Sequence, residues 1–250
     1  MLKIRVIPIV LIDGYSVLKT IQFDERRNLG NPITVARIYN TRNVDELVLL
    51  DIDASKEKRK IDLTTIEEIA SECFMPLSVG GGLRTLGDIS KVLASGADKV
   101  VINSIALEEP TFVKEAVKTF GSQCIIVSID INRTESGEYT VYSHANVPIK
   151  YSLENFIDMM ISNGAGELLI NSVNNDGLMK GYDTQLFQYI RKKIDIPVIA
   201  AGGAGSPQHA VSVLEAGASA VAAASIFHFS DFTPNKIKEE MHKSSFPVRL

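Results

Sequence analysis

The sequence predicts an α/β fold in which eight parallel strands, each followed by a helix, close into a single barrel. Short β-branched runs alternate with longer amphipathic stretches, as they do in βα units around a parallel sheet. Eight such units fit within 250 residues, a common length for one α/β barrel. Several motifs also recur at a constant spacing along the chain. Together these observations favour a (β/α)8 (TIM) barrel.

Each predicted strand is a short apolar run that suits a buried parallel sheet. The strands are expected at 3–11, 46–51, 77–79, 99–102, 124–129, 167–171, 198–200 and 220–223. The helices are longer segments with one apolar face, expected at 33–41, 65–73, 86–95, 111–119, 153–163, 183–192, 207–216 and 235–242. A doubly wound open sheet is the alternative. The Gly-x-Gly-x-x-Gly of that fold does not follow the first strand, which weakens it.

Three motifs occur twice, and the two copies are 121 residues apart in every case. ELVLLD, which starts at Glu46, resembles ELLINS, which starts at Glu167. MPLSVGGG likewise resembles IPVIAAGG, and VLASGA resembles VLEAGA. A constant offset close to half the chain is hard to obtain by chance. We therefore predict one domain over 1–250, built from two half-barrel repeats at about 1–121 and 122–250.

Composition and charge exclude several functional classes. The formal net charge of −4 argues against nucleic acid as a partner. The apolar stretch from Val6 to Ile12 is short and contains Pro8, so it predicts neither a signal peptide nor a membrane span. Cys73 and Cys124 are isolated, and the four histidines show no ligand spacing. We expect a cytoplasmic protein with no metal site, no cofactor and no membrane partner.

Glycine-rich turns follow two strands that the repeat relates to each other. Binding residues of a barrel sit at the C-terminal ends of the strands, where a glycine lets a backbone N–H approach an anion. A helix that begins nearby adds further unpaired N–H donors. These turns predict two anion cradles and hence an elongated ligand with a phosphate at each end, unless the glycines only form tight turns. The first cradle contains Gly81, Gly82, Asn103 and Ser104, and the second contains Gly202, Gly203, Ala224 and Ser225.

Three carboxylates are expected at the same end of the barrel. Asp51 ends the second predicted strand, Asp130 ends the fifth, and Asp176 lies in the turn after the sixth. A carboxyl group at the rim of an apolar barrel can act as a general acid or base, and we select Asp130 and Asp176 as catalytic. Asp51 could instead be a structural acceptor, and Asp176 a simple turn residue. Lys19 lies in a charge-rich segment, 19–31, that resembles a lid; it could meet a phosphate or be merely solvated.

Four charged residues lie at or near strand starts, at the opposite end of the barrel. If their side chains turn inward, two positive and two negative groups meet across the barrel floor. Lone buried ions are very costly, so such charges must pair. The cluster is either a neutral plug or a gate through which a small polar molecule passes. This charge ring consists of Arg5, Glu46, Lys99 and Glu167.

Taken together, these motifs resemble the HisF family, the cyclase subunits of imidazole glycerol phosphate synthase. The resemblance covers about residues 3–250 and is carried by the doubled half-barrel with GGG, GADK, FGSQ, DG followed by GYD, and GGAG. It implies a barrel that receives ammonia from a HisH-like glutaminase, its heterodimer partner, docked on the barrel floor. It also implies that the ammonia joins a bisphosphorylated ribulosyl substrate, PRFAR, to give imidazole glycerol phosphate and an aminoimidazole carboxamide ribotide, AICAR.

The same resemblance implies roles for single residues. The charge ring matches the family's ammonia gate, and Asp98 matches a position that faces the glutaminase. Lys19 matches a mobile-loop lysine near the substrate, and Asp130 matches one of two catalytic aspartates. The residues that match the two phosphate sites are Gly82, Asn103 and Ser104 for one and Gly177, Gly203, Ala224 and Ser225 for the other.

The main departure from the family pattern is at Leu11, whereas Ser104, where the family often has Thr, and Ala145, where it tends to have Ser, are milder departures. The family carries its second catalytic aspartate at the end of the first strand, where this chain has Leu11. Leucine transfers no proton, and loss of an acid/base group costs about 10²–10⁴-fold in rate. Asp13 is the nearest carboxylate, but a shift of two strand residues moves a side chain by roughly 6.6 Å, and Asp13 precedes Gly14 as a turn residue would.

The chain thus keeps the charge ring and the phosphate cradles but lacks one catalytic aspartate. In this it resembles a HisF-like paralogous branch associated with glutamine-dependent formation of acetamidino groups on surface-polysaccharide sugars. In that branch the barrel is expected to work with a glutaminase and a separate amidotransferase. We therefore expect this chain to accept ammonia from a glutaminase and to support amidino-sugar formation rather than histidine synthesis. The alternatives are a histidine-pathway cyclase with a substitute acid, and a silent scaffold that binds a phosphorylated ligand and conducts ammonia. A HisA-type isomerase is a further alternative, which the charge ring and FGSQ disfavour.

Overall fold

The computed structural model describes residues 3–191 and 194–250. Over these residues eleven strands occur, of which eight form a closed parallel barrel whose last strand pairs with the first. The predicted (β/α)8 fold class is thereby confirmed. The strands are β1 (Arg5–Asp13), β2 (Ser16–Ile21), β3 (Glu25–Gly30), β4 (Leu47–Asp51), β5 (Leu77–Gly80), β6 (Lys99–Ile102), β7 (Ile125–Arg133), β8 (Tyr139–Tyr142), β9 (Glu167–Ser172), β10 (Val198–Ala201) and β11 (Ala220–Ala223).

Each of the eight predicted helices has a counterpart close to its expected position, although the predicted end of the sixth, at 192, lies outside the described residues. Two further short helices, Ser104–Glu108 and Ser225–Phe229, follow β6 and β11. No helix over 3–191 and 194–250 combines the length and the hydropathy needed to cross a membrane. The helices are α1 (Pro32–Thr41), α2 (Leu63–Glu72), α3 (Leu86–Ala94), α4 (Ser104–Glu108), α5 (Thr111–Phe120), α6 (Leu153–Ser162), α7 (Thr184–Arg191), α8 (Pro207–Glu215), α9 (Ser225–Phe229) and α10 (Pro234–Lys243).

Three strands lie outside the barrel and correct the sequence prediction. β2 and β3 form an antiparallel hairpin on β1, so the charge-rich segment expected as a lid-like loop is a β-ribbon. Asp13, expected in a turn, is the last residue of β1 and pairs with Ser16. β7 continues beyond its predicted end because β8 pairs with the extension. Asp130 therefore lies within β7, opposite Tyr142, and does not end the strand as predicted.

Alternate residues of each barrel strand face the barrel axis, because successive side chains of a strand point to opposite faces. On β9 these residues are Glu167, Leu169 and Asn171, which thus lie at the floor, in the interior and at the mouth. The interior layer is apolar and separate from the larger core between strands and helices. Its buried members are Ile7, Val48, Val101, Ile126, Leu169, Ile199, Ala201, Ala220 and Ala222.

Candidate active site

The residues predicted for the barrel mouth all line one cavity at the C-terminal ends of the strands. Its wall is mostly apolar, with polar groups supplied by strand ends and by the turns that follow them, an arrangement typical of small-molecule sites. The structure therefore brings the two cradles, Lys19 and the three carboxylates together. The predicted residues in the wall are Lys19, Asp51, Gly81, Gly82, Asn103, Ser104, Asp130, Asp176, Gly177, Gly202, Gly203, Ala224 and Ser225.

Asp130 is buried within β7 and is flanked by two amide side chains. The side-chain amide of Asn103 donates to Asp130 Oδ2 at 3.0 Å and to the carbonyl oxygen of Ser128 at 3.1 Å. Burial raises the pKa of Asp130 to about 7; hydrogen bonds from Asn103 and Asn171 oppose this rise, and the charge of Asp176 adds to it. A carboxyl group poised near neutral pH can both donate and accept a proton, which suits a general acid or base.

The raised pKa of Asp130 predicts that the Asp130→Asn variant gains stability over the native chain as the pH rises. A carboxyl group whose folded-state pKa is raised contributes stability below its unfolded-state pKa and loses it as the pH climbs through the folded-state value. From about pH 5.5 to pH 8 the native chain should lose about 2 kcal/mol that the amide variant keeps. Calorimetric unfolding across this range measures the difference. Asp158→Asn, at an exposed position of α6, is the control; parallel curves for Asp130→Asn and native protein would contradict the prediction.

Asp176 connects the β2–β3 hairpin to the mouth of the barrel. Lys19 Nζ lies 3.2 Å from Asp176 Oδ1, and the hydroxyl of Thr20 donates to Oδ2 at 3.1 Å. Lys19 is buried in β2, so it is not the merely solvated lysine that the sequence left open. Gly177 has a φ of +74°, and a Cβ there would lie 2.5 Å from the carbonyl oxygen of Thr20, so only glycine lets the hairpin pack this closely.

Asp51 lines the cavity, but its carboxylate is already bound. Arg59 donates to it from Nη1 at 2.5 Å and from Nη2 at 2.9 Å, a bidentate ion pair. The backbone N–H groups of Asp53 and Ala54 also donate to Asp51 Oδ1, at 3.3 Å and 3.1 Å. This geometry favours the structural-acceptor interpretation, in which Asp51 holds the loop after β4.

The two cradles share one backbone design. Asn103 and Ala224 precede α4 and α9, and neither makes a side-chain cap hydrogen bond to its helix. The first N–H groups of both short helices thus lack the usual side-chain acceptor. Gly203, with a φ of +107°, packs so closely on the carbonyl of Gly181 that a Cβ would clash. In the first cradle, the N–H of Gly82 donates weakly to a serine hydroxyl, at 3.3 Å.

Leu11 faces the cavity from the inward side of β1 and is half-buried beside Leu50 of β4. Asp13 does not line the cavity; its carboxylate lies 3.1 Å from Arg59, and its side chain is 43% exposed. Within 3–191 and 194–250, three carboxylates line the cavity: Asp51, Asp130 and Asp176. A hydrocarbon side chain thus occupies the place at which the HisF resemblance implies a second acid.

The charge ring lies at the opposite end of the barrel. Arg5 bridges the two glutamates: Nη1 is 2.5 Å from Glu46 Oε2, and Nη2 contacts Glu167. Lys99 bridges the same two glutamates: its Nζ lies 3.2 Å from Glu46 Oε2 and 2.7 Å from Glu167 Oε1. The hydroxyl of Ser78, which sequence reasoning did not select, donates to Glu46 at 2.6 Å. The four side chains turn inward and form a neutral alternating ring.

At Glu167, pairing within the ring outweighs the effect of burial on the carboxyl group. Burial alone would raise the pKa of Glu167, but its hydrogen bonds and charge contacts with Arg5 and Lys99 hold the pKa below its usual value. Around the ring the floor exposes further side chains. Asp98 is exposed beside it and accepts the N–H of Leu77 at 2.8 Å, and Phe74, just before β5, is 87% exposed.

Sequence reasoning missed several polar or aromatic residues of the cavity wall. Asn171 follows Glu167 and Leu169 on the inward face of β9, so the strand alternation could have identified it. Ser55, Phe23 and His144 lie in loops or at a hairpin tip. They carry no spacing signal in the sequence.

Comparisons with known proteins give one consistent family. The family model described as "Histidine biosynthesis protein" matches residues 5–233. The chain is 48% identical over its full length to the full-length "Putative imidazole glycerol phosphate synthase subunit hisF2" of Campylobacter jejuni. It is 41% identical to the "Imidazole glycerol phosphate synthase subunit HisF" of an Exiguobacterium species, over 100% of this chain and 98% of that protein. The HisF of Streptomyces coelicolor is 39% identical, over 99% of both chains.

Proposed function

Because the chain belongs to the HisF family of histidine biosynthesis proteins, we propose that it is the ammonia-accepting barrel subunit of a glutamine amidotransferase. Its partner in this proposal is a HisH-like glutaminase that docks on the barrel floor around Asp98. The relatives named above are subunits of imidazole glycerol phosphate synthase, which supports a subunit role for this chain. We place the complex in the cytoplasm.

The route for the nitrogen starts at the charge ring. Ammonia is small and uncharged, so it can cross a neutral ring and an apolar interior that would repel an ion. The cavity of the mouth extends down to Ala201 and Ala222 of this interior layer. Leu169 links the floor to the mouth on one strand, between Glu167 and Asn171. These features support the gate interpretation of the ring over the plug.

The acceptor of the nitrogen is an elongated molecule with an anionic group at each end. The uncapped starts of α4 and α9 suit two phosphates, and helix N-termini attract such groups. Asp130, whose pKa of about 7 suits proton transfer, acts as the general acid and base. Asp176 is a further carboxylate at the mouth and, through Lys19, holds the hairpin over it; it does not replace the acid that the family resemblance implies at position 11. Lys19 is then placed to meet the phosphorylated ligand when Asp176 releases it.

The single observation that carries the choice of reaction is Leu11. Its side chain lies in the cavity wall where the family resemblance implies a catalytic aspartate, and Asp13 is held outside by Arg59. One of the two acid/base groups needed to close the imidazole ring is therefore missing, while the charge ring at the floor, the cradles and Asp130 are retained. We assign the chain to amidino-group formation on a surface-polysaccharide sugar, together with a separate amidotransferase, rather than to histidine synthesis.

Complementation of a histidine auxotroph tests this assignment. A strain without its cyclase subunit, supplied with this chain and a HisH-like glutaminase, should not grow without histidine, because Leu11 cannot supply the second proton transfer. The Streptomyces coelicolor HisF, 39% identical to this chain, is the positive control. Disruption of the gene in its own host should remove acetamidino groups from surface polysaccharide, as read by mass spectrometry. Growth of the auxotroph would identify a histidine-pathway cyclase, and unchanged polysaccharide would exclude the amidino role.

A further inference from the structure

Two buried polar atoms of the described residues, 3–191 and 194–250, have no hydrogen-bond partner: Asn171 Oδ1 and His144 Nε2. Such atoms are rare in folded proteins, because a buried polar atom that gives up its water without gaining a partner is destabilising. Both residues line the candidate active site. The coincidence calls for a common cause, since nothing in the fold requires the two unsatisfied groups to share one cavity.

We propose that Asn171 and His144 hydrogen-bond to uncharged polar groups of the ligand whose anionic ends occupy the two cradles. This inference rests on the proposed function and deepens it, because it adds a requirement for N–H or O–H groups between the phosphates. Neither residue belongs to a cradle, and neither carries a charge that could bind a phosphate. Their contribution is selectivity among doubly phosphorylated molecules.

Asn171 lies next to the atoms that are proposed to react. It faces inward from β9, and its partners in register are Asp130 on β7 and Ala201 on β10. Its side-chain amide lies near Asp130 and lowers that pKa, and its oxygen is the atom without a partner. That oxygen lies 2.7 Å from the point where a Cβ on Gly202 would sit, at the edge of the second cradle. An amide oxygen only accepts, so its ligand partner must be an N–H or an O–H.

His144 lies beneath the tip of the hairpin. Phe23, at that tip, packs edge-on against the imidazole with ring centroids 5.9 Å apart. Burial lowers the pKa of His144, the charges of Lys56 and Arg26 lower it further, and the charge of Asp53 opposes them. A neutral imidazole offers one donor and one acceptor, and Nε2 can serve a ligand hydroxyl or N–H in either role. A ligand bound there would contact the mouth and the hairpin at once.

Calorimetric titration of two probes tests the proposal. PRFAR carries two phosphates with polar groups between them, and inorganic phosphate carries the anion alone. Asn171→Leu and His144→Phe keep similar shapes and remove the orphaned atoms. Loss of one hydrogen bond worth about 0.5–1.5 kcal/mol should weaken PRFAR binding by about 2–12-fold, and phosphate binding should change less than about twofold. Asn155→Leu and His242→Phe, both at exposed positions on outer helices, are the matched controls.

The outcomes separate this inference from the function on which it rests. Weaker PRFAR binding with unchanged phosphate binding would support it. Native protein that binds PRFAR, with both variants binding equally well, would overturn the inference and leave the proposed function in place. Equal losses for PRFAR and phosphate would also overturn it, because they would show that the substitutions disturb the cradles. Native protein that binds neither probe would overturn the bisphosphate ligand and the inference together.

Discussion

Replacing Leu11 with aspartate is expected to give this chain ammonium-dependent cyclase activity. With PRFAR and an ammonium salt, Leu11→Asp should form imidazole glycerol phosphate at about 10²–10⁴ times the rate of the native chain, the usual contribution of one acid/base group. Leu11 faces the cavity from the inward side of β1 and is only half-buried, so a carboxyl group there keeps contact with water and ligand. Product appearance is followed by chromatography, which also detects AICAR.

Two further variants identify the source of the gain. Leu11→Asn has nearly the same shape as aspartate but transfers no proton, so it should stay at the native rate. Leu11→Asp combined with Asp130→Asn should lose the gain, because the buried carboxyl of Asp130 is the other half of the pair. Native protein that already turns over rapidly would contradict the proposed function. A Leu11→Asp variant that binds PRFAR but remains inactive would show that more than one position has changed.

The barrel itself could be predicted because its signals are local. Strands such as β4 and β11 are buried on both faces and therefore appear as short apolar runs. The hairpin could not be predicted in this way. β3 consists of mostly exposed residues, ERRNLG, and its extended form depends on pairing with β2 rather than on a hydrophobic pattern of its own. The end of β7 escaped prediction for the same reason, since β8 supplies its partner.

The same distinction applies to the site: its local patterns could be predicted, and its long-range contacts could not. Glycine turns at strand ends are a local pattern, so both cradles could be located from the sequence. The burial of Lys19 could not, because Asp176, which neutralises it, is 157 residues away. Asn171 and His144 matter because single atoms of theirs have no partner, which only the packed structure reveals. Nor could the sequence show that the carboxylate of Asp51 is already bound, because its partner, Arg59, is placed by the fold of the loop after β4.

Removal of one charge from the ring is expected to destabilise the protein strongly. Lys99→Met leaves Arg5 to balance both Glu46 and Glu167, and the side chain of Glu46 is only 2% exposed. Loss of one partner of a buried ion pair costs about 3–5 kcal/mol. We expect about 2–4 kcal/mol here, because Arg5 and Lys99 retain some contact with water. For a chain of this size that corresponds to a fall in Tm of about 5–15 °C, measured by calorimetry.

A second neutralisation separates charge balance from lost packing. Lys99→Met with Glu167→Gln leaves one ion pair, between Arg5 and Glu46, and should recover more than half of the lost stability even though it removes another charge. If stability depended on the number of salt bridges alone, the second substitution would instead lower it further. Lys114→Met, at an exposed position of α5, should change the free energy of unfolding by about 0.5 kcal/mol or less. Recovery in the double variant would show that charge balance within the ring stabilises the barrel floor; the ammonia route proposed above requires the same neutrality.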